Sequence, residues 1–298
     1  MGAMSDMRDT DVLTVAVAQF TVGPEPDANL VAIRGYARQA ADEGARLLAL
    51  PEGLIARNGG DGAFVANRAQ PLDGPFVTGL RRISRETGVT LMGTVHERPS
   101  AGNASGTVVE PDEATAGRTH GTGDDSRVAN TFLVVRNGDI IATYRKLHLY
   151  DAFAEKESDT VLPGDALPPV VDVDGWKIGV MTCYDVRFPE TARSLAVRGA
   201  DAIVVSAAWV RGALKERHWA LMAAARAVEN TCYVLACSEV SGQNIGLSRV
   251  VDPLGEVLAN AGAQPGMITA KLDKGVLASV RQSLPVLANR RFGDPTLR

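Results

Sequence analysis

Two periodicities alternate along this chain. Short apolar runs rich in Val, Ile and Leu predict buried strands, and longer stretches with apolar positions three and four apart predict amphipathic helices. In the first half, strands are predicted over residues 12–20, 46–50 and 89–95, and helices over 29–43 and 75–87. Residues 131–136 and 140–145 flank Asn137-Gly138, a two-residue hairpin signal. The second half begins again, with a strand over 177–182, a helix over 189–198 and a strand over 202–206. A helix over 215–229 and a strand over 233–237 follow, then short strands over 250–252 and 256–258 around the turn Pro253-Leu254-Gly255. Strands and helices in alternation argue an α/β protein.

The two halves share a local pattern. A helix followed by Gly44-Ala45-Arg46 and a strand recurs as a helix followed by Gly199-Ala200-Asp201 and a strand. The recurrence points to an internal duplication, two βαβ units forming two packed sheets. Gly after a helix is also a common cap in any α/β protein, so the pattern alone leaves both readings open.

Three segments fall outside the pattern. Residues 1–10 are polar, and Met1-Gly-Ala-Met4 looks tag-like. Residues 100–127 are rich in Gly, Thr, Ser, Asp and Glu without hydrophobic period, which predicts a mobile surface insertion with no chemistry of its own. A C-terminal arm is expected over 286–298. A single domain over 11–285 remains.

Composition narrows the function classes. The 298 residues are 45% hydrophobic and 22% charged, an ordinary globular balance. A net charge of −4 gives no electrostatic argument for nucleic acid or an anionic membrane. No apolar run reaches membrane-spanning length, and the start of the sequence lacks a signal-peptide pattern. Cys183, Cys232 and Cys237 are an odd set with no disulfide or zinc spacing, which fits a reducing cytoplasm. The four His residues are scattered and no phosphate-cradling glycine loop is present, so neither a metal nor a cofactor is expected.

Chemistry is expected at three strand ends. Leu47-Leu-Ala-Leu-Pro51 is a buried strand that must leave its sheet at Pro, which presents Glu52 beside apolar neighbours that would raise its pKa. Lys146 closes the strand 140–145 among Tyr144, Leu147 and Leu149. Cys183 ends the strand 177–182, just before a helix that starts at Pro189-Glu190. A helix terminus and a nearby lysine both favour a thiolate. Taken singly, each has a plainer reading: Glu and Lys are mostly solvated, and free Cys is mostly core. Taken together they form an acyl-transfer set. Thiolate attacks a carbonyl, glutamate carries the proton to the leaving amine, and lysine, with the backbone N–H of Tyr184, stabilises the oxyanion.

These segments resemble the nitrilase superfamily, carbon–nitrogen hydrolases with a Glu-Lys-Cys triad. The likeness is carried, in order, by Leu50-Pro51-Glu52, by Tyr144-Arg145-Lys146-Leu147-His148-Leu149 and by Cys183-Tyr184-Asp185-Val186-Arg187-Phe188-Pro189-Glu190. Segments 225–230 and 248–260 extend it, so the resemblance spans roughly residues 12–285 by motif order. It implies a four-layer α-β-β-α sandwich with an internal pseudo-twofold, and homodimers or larger assemblies. It also implies a second glutamate that positions the lysine and the substrate amine. Glu157, in Glu157-Ser158, fits that place best, with Glu155 the competitor.

Specificity residues are expected just past the strand ends. Arg187 can grip a substrate carboxylate bidentately, or serve in a structural ion pair. Trp209 is expected as an apolar wall, and Arg57 and Arg211 are further carboxylate candidates. Arg226 and Glu229 should pair on one helix face. Asp185 should hydrogen-bond local backbone, and His148 should pack or hydrogen-bond rather than act as a base. His218 either lines the pocket or packs, and Cys232 and Cys237 are expected in the core.

Within the superfamily the motifs resemble the omega-amidase and deaminated-glutathione-amidase branch. That resemblance implies hydrolysis of a primary amide on a small carboxylate-bearing molecule, with water as co-substrate and ammonia released from a Cys183 thioester. An N-carbamoyl amidohydrolase would share the triad. A non-catalytic ligand-binding member is the alternative of another class.

Overall fold

The computed structural model describes residues 11–99, 127–153 and 155–297. The polar start at 1–10 and the expected insertion, all but its last residue Arg127, lie outside these residues.

The first half builds one sheet. Strands β1 (Val12–Gln19), β2 (Leu47–Ala49) and β3 (Thr90–Glu97) run parallel. They are linked by α1 (Pro26–Asp42), then by α2 (Gly62–Arg68) and α3 (Pro75–Thr87). β4 (Val128–Arg136) and β5 (Asp139–Arg145) add antiparallel, joined by a tight turn in which Asn137 and Gly138 both adopt positive φ. A small hairpin of β6 (Asp151–Ala152) and β7 (Glu155–Lys156) follows, then β8 (Val161–Leu162), which pairs with β4.

The second half repeats the plan. β9 (Val170–Val173) lies antiparallel to β10 (Trp176–Thr182). β10, β11 (Ala202–Ala207) and β12 (Tyr233–Ser238) are parallel, linked by α4 (Pro189–Val197) and α5 (Lys215–Asn230). β13 (Arg249–Val251) and β14 (Val257–Asn260) add antiparallel. β15 (Gly266–Asp273) then returns to the first sheet beside β1, and α6 (Lys274–Ser283) and α7 (Val286–Asn289) follow.

Strand order shows the duplication. One sheet reads β15-β1-β2-β3-β4-β5 and the other β9-β10-β11-β12-β13-β14, with the same three parallel strands at the same places. The helix ends match as well. Gly44 and Gly199 both take positive φ, and Ala45 and Ala200 donate back to Ala40 and Leu195 carbonyls. Each is a left-handed helix cap that drops the chain into the next strand. The next residues, Arg46 and Asp201, donate to Thr14 and Lys177 on the neighbouring strand.

Three cores hold four layers together. Val15, Val17, Leu47 and Phe132 of the first sheet meet Ile178, Val180, Val204 and Leu235 of the second. On the other face of β1, Ala16 and Ala18 pack with Ile33, Ala37, Leu80 and Ile83 of α1 and α3. Met181, Ile203, Val205 and Val234 pack with Leu195 of α4 and Trp219, Ala223 and Ala227 of α5. Both sheets are therefore buried on both faces, which is why their strands read as nearly continuous apolar runs. The architecture is the α-β-β-α sandwich. No helix among the described residues is long and apolar enough to cross a membrane.

Candidate active site

Glu52, Lys146 and Cys183 follow the ends of β2, β5 and β10, as expected. Glu52 is 4% exposed, Lys146 2% and Cys183 8%, all at the floor of one cleft of about 300 Å³.

Glu52 is fixed through both carboxylate oxygens. Oε1 accepts from Lys146 Nζ at 3.2 Å and from Asn130 Nδ2 at 2.8 Å, and Oε2 accepts the Ala208 N–H at 2.8 Å. The Glu52 N–H in turn donates to the Ala207 carbonyl. Ala207 ends β11, the pseudo-twofold counterpart of β2, so the glutamate is locked across the axis of the duplication. Burial alone would raise its carboxyl. Lys146, Arg57, the Cys183 thiol and the Ala208 N–H outweigh burial and bring it down to about 2. The expected upward shift is therefore corrected, because the apolar neighbours are outvoted by two cations.

Lys146 sits between two carboxylates. Glu157 accepts from its Nζ through Oε1 at 3.0 Å and Oε2 at 2.8 Å. Burial disfavours the ammonium, but Glu157 first and Glu52 next raise its pKa well above the ordinary lysine range. Glu157 opens a single 3-10 turn, and its Oε2 also accepts the Tyr150 N–H at 2.7 Å. Glu155 also lines the cleft but is exposed, whereas Glu157 is the glutamate that contacts Lys146.

Cys183 opens a 3-10 turn over Cys183–Arg187 rather than an α-helix, and its φ of 46° is left-handed. A non-glycine residue held there costs on the order of 1 kcal/mol or more, which the surroundings must supply. They do so through Asp185, which is fully buried. Its carboxylate accepts the Thr182 N–H at 3.0 Å and the Tyr144 hydroxyl at 2.8 Å, and His148 Nδ1 lies 2.8 Å from it. His148 also stacks on Phe188 with ring centroids 3.7 Å apart. The segment bearing Lys146 is thus pinned to the elbow bearing Cys183. From the other side, Arg226 Nε donates to the Val186 carbonyl at 2.8 Å while its guanidinium pairs with Glu229, as expected for that helix face.

The thiol does not behave as the helix-terminus argument predicts. Burial first, and then the Glu52 charge, push its pKa well up, and Lys146 offsets only part of this. Both shifts favour a neutral thiol beside an anionic glutamate.

The cleft walls contain residues the sequence analysis missed. Asn130, on β4, is 1% exposed and bridges Glu52 and Glu157. A polar residue third in an otherwise largely apolar strand was its only signal. His96 lines the cleft near Gly53; burial, and then Arg57, push it down to about 3, so it is neutral. Lys215, at the first position of α5, is 5% exposed, and its Nζ donates to the Tyr150 hydroxyl at 2.5 Å.

Trp209 lines the cleft, with its indole N–H donating to the Lys215 carbonyl at 3.0 Å. Arg57 lines the cleft as well. Arg187 does not line it. Its guanidinium lies 4.8 Å from the Trp209 ring centroid and 6.0 Å from that of Tyr184. His218 is not in the lining, and Arg211 turns toward Ser241 and Glu216. Cys232 and Cys237 are core residues with free thiols.

A buried Glu-Lys-Cys constellation on a duplicated α-β-β-α sandwich defines a carbon–nitrogen hydrolase, and residues 14–282 match that family. The chain belongs to the carbon–nitrogen hydrolase family, within the nitrilase superfamily. It is 40% identical to the deaminated glutathione amidase of Escherichia coli O157:H7 over 96% of this chain and 100% of that one. The rat protein of the same name is 32% identical, over 97% of this chain and 86% of its own length. Among solved structures, Saccharomyces cerevisiae Nit3, of branch 10 of the nitrilase superfamily, superposes with a TM-score of 0.76 at 29% identity, covering 95% and 97% of the two chains. An amidase variant from Nesterenkonia sp. AN1 superposes with a TM-score of 0.74 at 26% identity, covering 95% of each chain. It carries the acetamide moiety of fluoroacetamide covalently on its active-site cysteine. The chain is thus related to amidases that act on carbon–nitrogen bonds other than peptide bonds.

Proposed function

We propose that this protein hydrolyses a primary amide on a small carboxylate-bearing molecule through a thioester on Cys183, releasing ammonia. One observation carries the reading: Cys183, Glu52 and Lys146 line a single cleft, with Glu52 hydrogen-bonded to Lys146 and its charge acting on the Cys183 thiol. The cysteine-bound acetamide moiety in the Nesterenkonia amidase supports covalent chemistry at the equivalent kind of centre.

The proton inventory sets the order of events. The thiol proton passes to Glu52 as sulfur bonds the amide carbon, because a free thiolate beside anionic Glu52 is disfavoured. The oxyanion forms against Lys146, kept positive by Glu157, and against the Tyr184 N–H. Tyr184 is the second residue of its turn, where N–H groups lack an acceptor within the turn. On collapse the C–N bond breaks, Glu52 returns the proton to nitrogen, and ammonia leaves. Water then attacks the thioester and gives its proton to Glu52. The C–S bond breaks and the thiol is restored, leaving a carboxylic acid. Glu157 holds the lysine in place and faces the leaving amine.

A carboxylate on the substrate suits the cleft's cations. Arg57 and Lys215 line it, and no salt bridge to either is found among the described residues. Trp209 supplies the apolar wall and Arg187 a positive charge behind it.

The protein is further proposed to be a cytoplasmic homodimer. Its three thiols are unpaired, which suits a reducing compartment. Leu221 and Val228 on α5 and Leu254 are exposed, and the turn at Gly255 lies directly against Val228. Clustered exposed apolar residues mark an interaction face.

Ammonia release from monoamides of dicarboxylic acids, neutral amides and N-carbamoyl acids tests the reading, with Cys183→Ala as control. Turnover of the acidic amides, lost in Cys183→Ala, is expected. Turnover confined to carbamoyl acids would replace it with the carbamoyl reading. Turnover of nothing, with sluggish alkylation of Cys183, would refute a hydrolase.

A further inference from the structure

Lys215 is in an unfavourable place for a lysine. It begins a sixteen-residue helix, where the aligned peptide dipoles disfavour a cation. It is 5% exposed, and buried lysines are normally paired with a carboxylate. Among the described residues no carboxylate reaches it. Its ammonium has three N–H groups and one oxygen acceptor, the Tyr150 hydroxyl. Its remaining neighbours are ring faces, with centroids at 4.8 Å (Tyr150), 4.5 Å (Phe153) and 5.8 Å (Trp209).

Tyr150, Trp209 and Lys215 all line the cleft that holds Cys183. The Tyr150 ring meets that of Tyr184, the residue after Cys183, edge-on with centroids 5.1 Å apart, which sets this wall beside the reacting centre. Arg187 is not among the residues lining the cleft. Its Nη2 is sealed from solvent and has no acceptor among the described residues, so nothing entering the cleft reaches that nitrogen directly.

We propose that Lys215 is the specificity-determining cation of this cleft: its ammonium holds a carboxylate of the substrate, and the Tyr150 hydroxyl donates to the same group. The inference rests on the amide-hydrolase reading for the reaction, but not for the binding itself. Tyr150 accepts from Lys215 and keeps its own proton to give. Burial raises the tyrosine pKa, so that proton is retained. Burial, and then Arg187, lower the lysine pKa. An ammonium there has no carboxylate partner among the described residues, so an anion entering the site meets a charge that is not already neutralised. The ligand class is a short-chain acid whose amide lies at the far end from the carboxylate.

Two measurements on the full-length chain test this. Calorimetry of the Cys183→Ala protein with succinate, glutarate and adipate reads binding without turnover. Lys215→Met should weaken the best of these acids by about 10- to 100-fold, the worth of a charge-assisted hydrogen bond, and Lys215→Arg should keep most of the affinity. In the active protein, Lys215→Met should reduce the ratio of kcat/KM for the acidic over the isosteric neutral amide by a similar factor. If Lys215 only anchors the β6–β7 hairpin, both substrates suffer equally and the ratio holds. That result, or acid binding that is absent or indifferent to Lys215, overturns the proposal. Lys215-dependent acid binding in a protein that cleaves no amide would refute the hydrolase reading and leave this one standing.

Discussion

Glu157 grips the Lys146 ammonium through both carboxylate oxygens, at 2.8 and 3.0 Å, closer than Glu52 at 3.2 Å. The lysine is therefore positioned mainly by a residue outside the triad. Glu157→Gln keeps the shape and removes the charge. It should lower kcat by about 100-fold, the scale of losing one electrostatic element, with a smaller change in KM. Steady-state kinetics checks this. An unchanged kcat would mean that Glu52 alone suffices to hold Lys146.

Asp185 is the structural hub of the site. It joins Thr182, Tyr144 and His148, and so the cysteine elbow to the lysine segment. Asp185→Ala strands several buried donors and should destabilise the protein by about 3 kcal/mol or more. Denaturant unfolding measures this, and a loss below 1 kcal/mol, roughly one ordinary hydrogen bond, would contradict the hub role.

How much of this was legible in the sequence divides along physical lines. Strands and helices with strong periodicity were found nearly to the residue, as with α3 and β10, because burial on both sheet faces writes long apolar runs. β15 and α6 were missed, since β15 is only half-buried and its pattern weak. The triad was legible because each member lies at or just past a strand end: Lys146 and Cys183 directly follow β5 and β10, and Glu52 lies three residues past β2. Asn130 and Lys215 were not, because their roles depend on pairing across 78 and 65 residues of chain. The pKa directions were misread for two different reasons: the cations that lower Glu52 come from distant segments, and burial together with the Glu52 charge outweighs the lysine that was expected to lower Cys183.

Glu52 links pH to stability. Its folded pKa of about 2 lies below its ordinary 4.5. The depressed carboxylate therefore adds stability that is fully present above pH 4.5 and lost as pH falls toward 2. The stability gap between the wild type and Glu52→Gln should shrink across that window. A gap constant in pH would contradict an anionic resting Glu52.

Burial first, and then the same charge, hold the thiol proton. Removing it leaves Lys146 as the main charge acting on Cys183, and Lys146 lowers the thiol pKa. Glu52→Gln should then abolish turnover yet speed alkylation of Cys183 by iodoacetamide near neutral pH. Alkylation slowed in parallel with turnover would show that Glu52 instead promotes the thiolate at rest.

The exposed apolar face bears on assembly. Val228→Asp together with Leu254→Asp places two charges on one patch, and should convert the proposed dimer to monomer in light scattering. A wild type that is already monomeric, or a variant that stays dimeric, would remove this face from the account.

The central claim is that Cys183 carries the acyl group. Intact-mass spectrometry of the wild-type protein, acid-quenched during turnover of an acidic amide, tests it most directly. The account predicts an adduct equal to the amide minus ammonia, mapped to the peptide containing Cys183, released by hydroxylamine and absent from Cys183→Ala. Turnover with no such adduct under any quench, or with activity retained in Cys183→Ala, would contradict it.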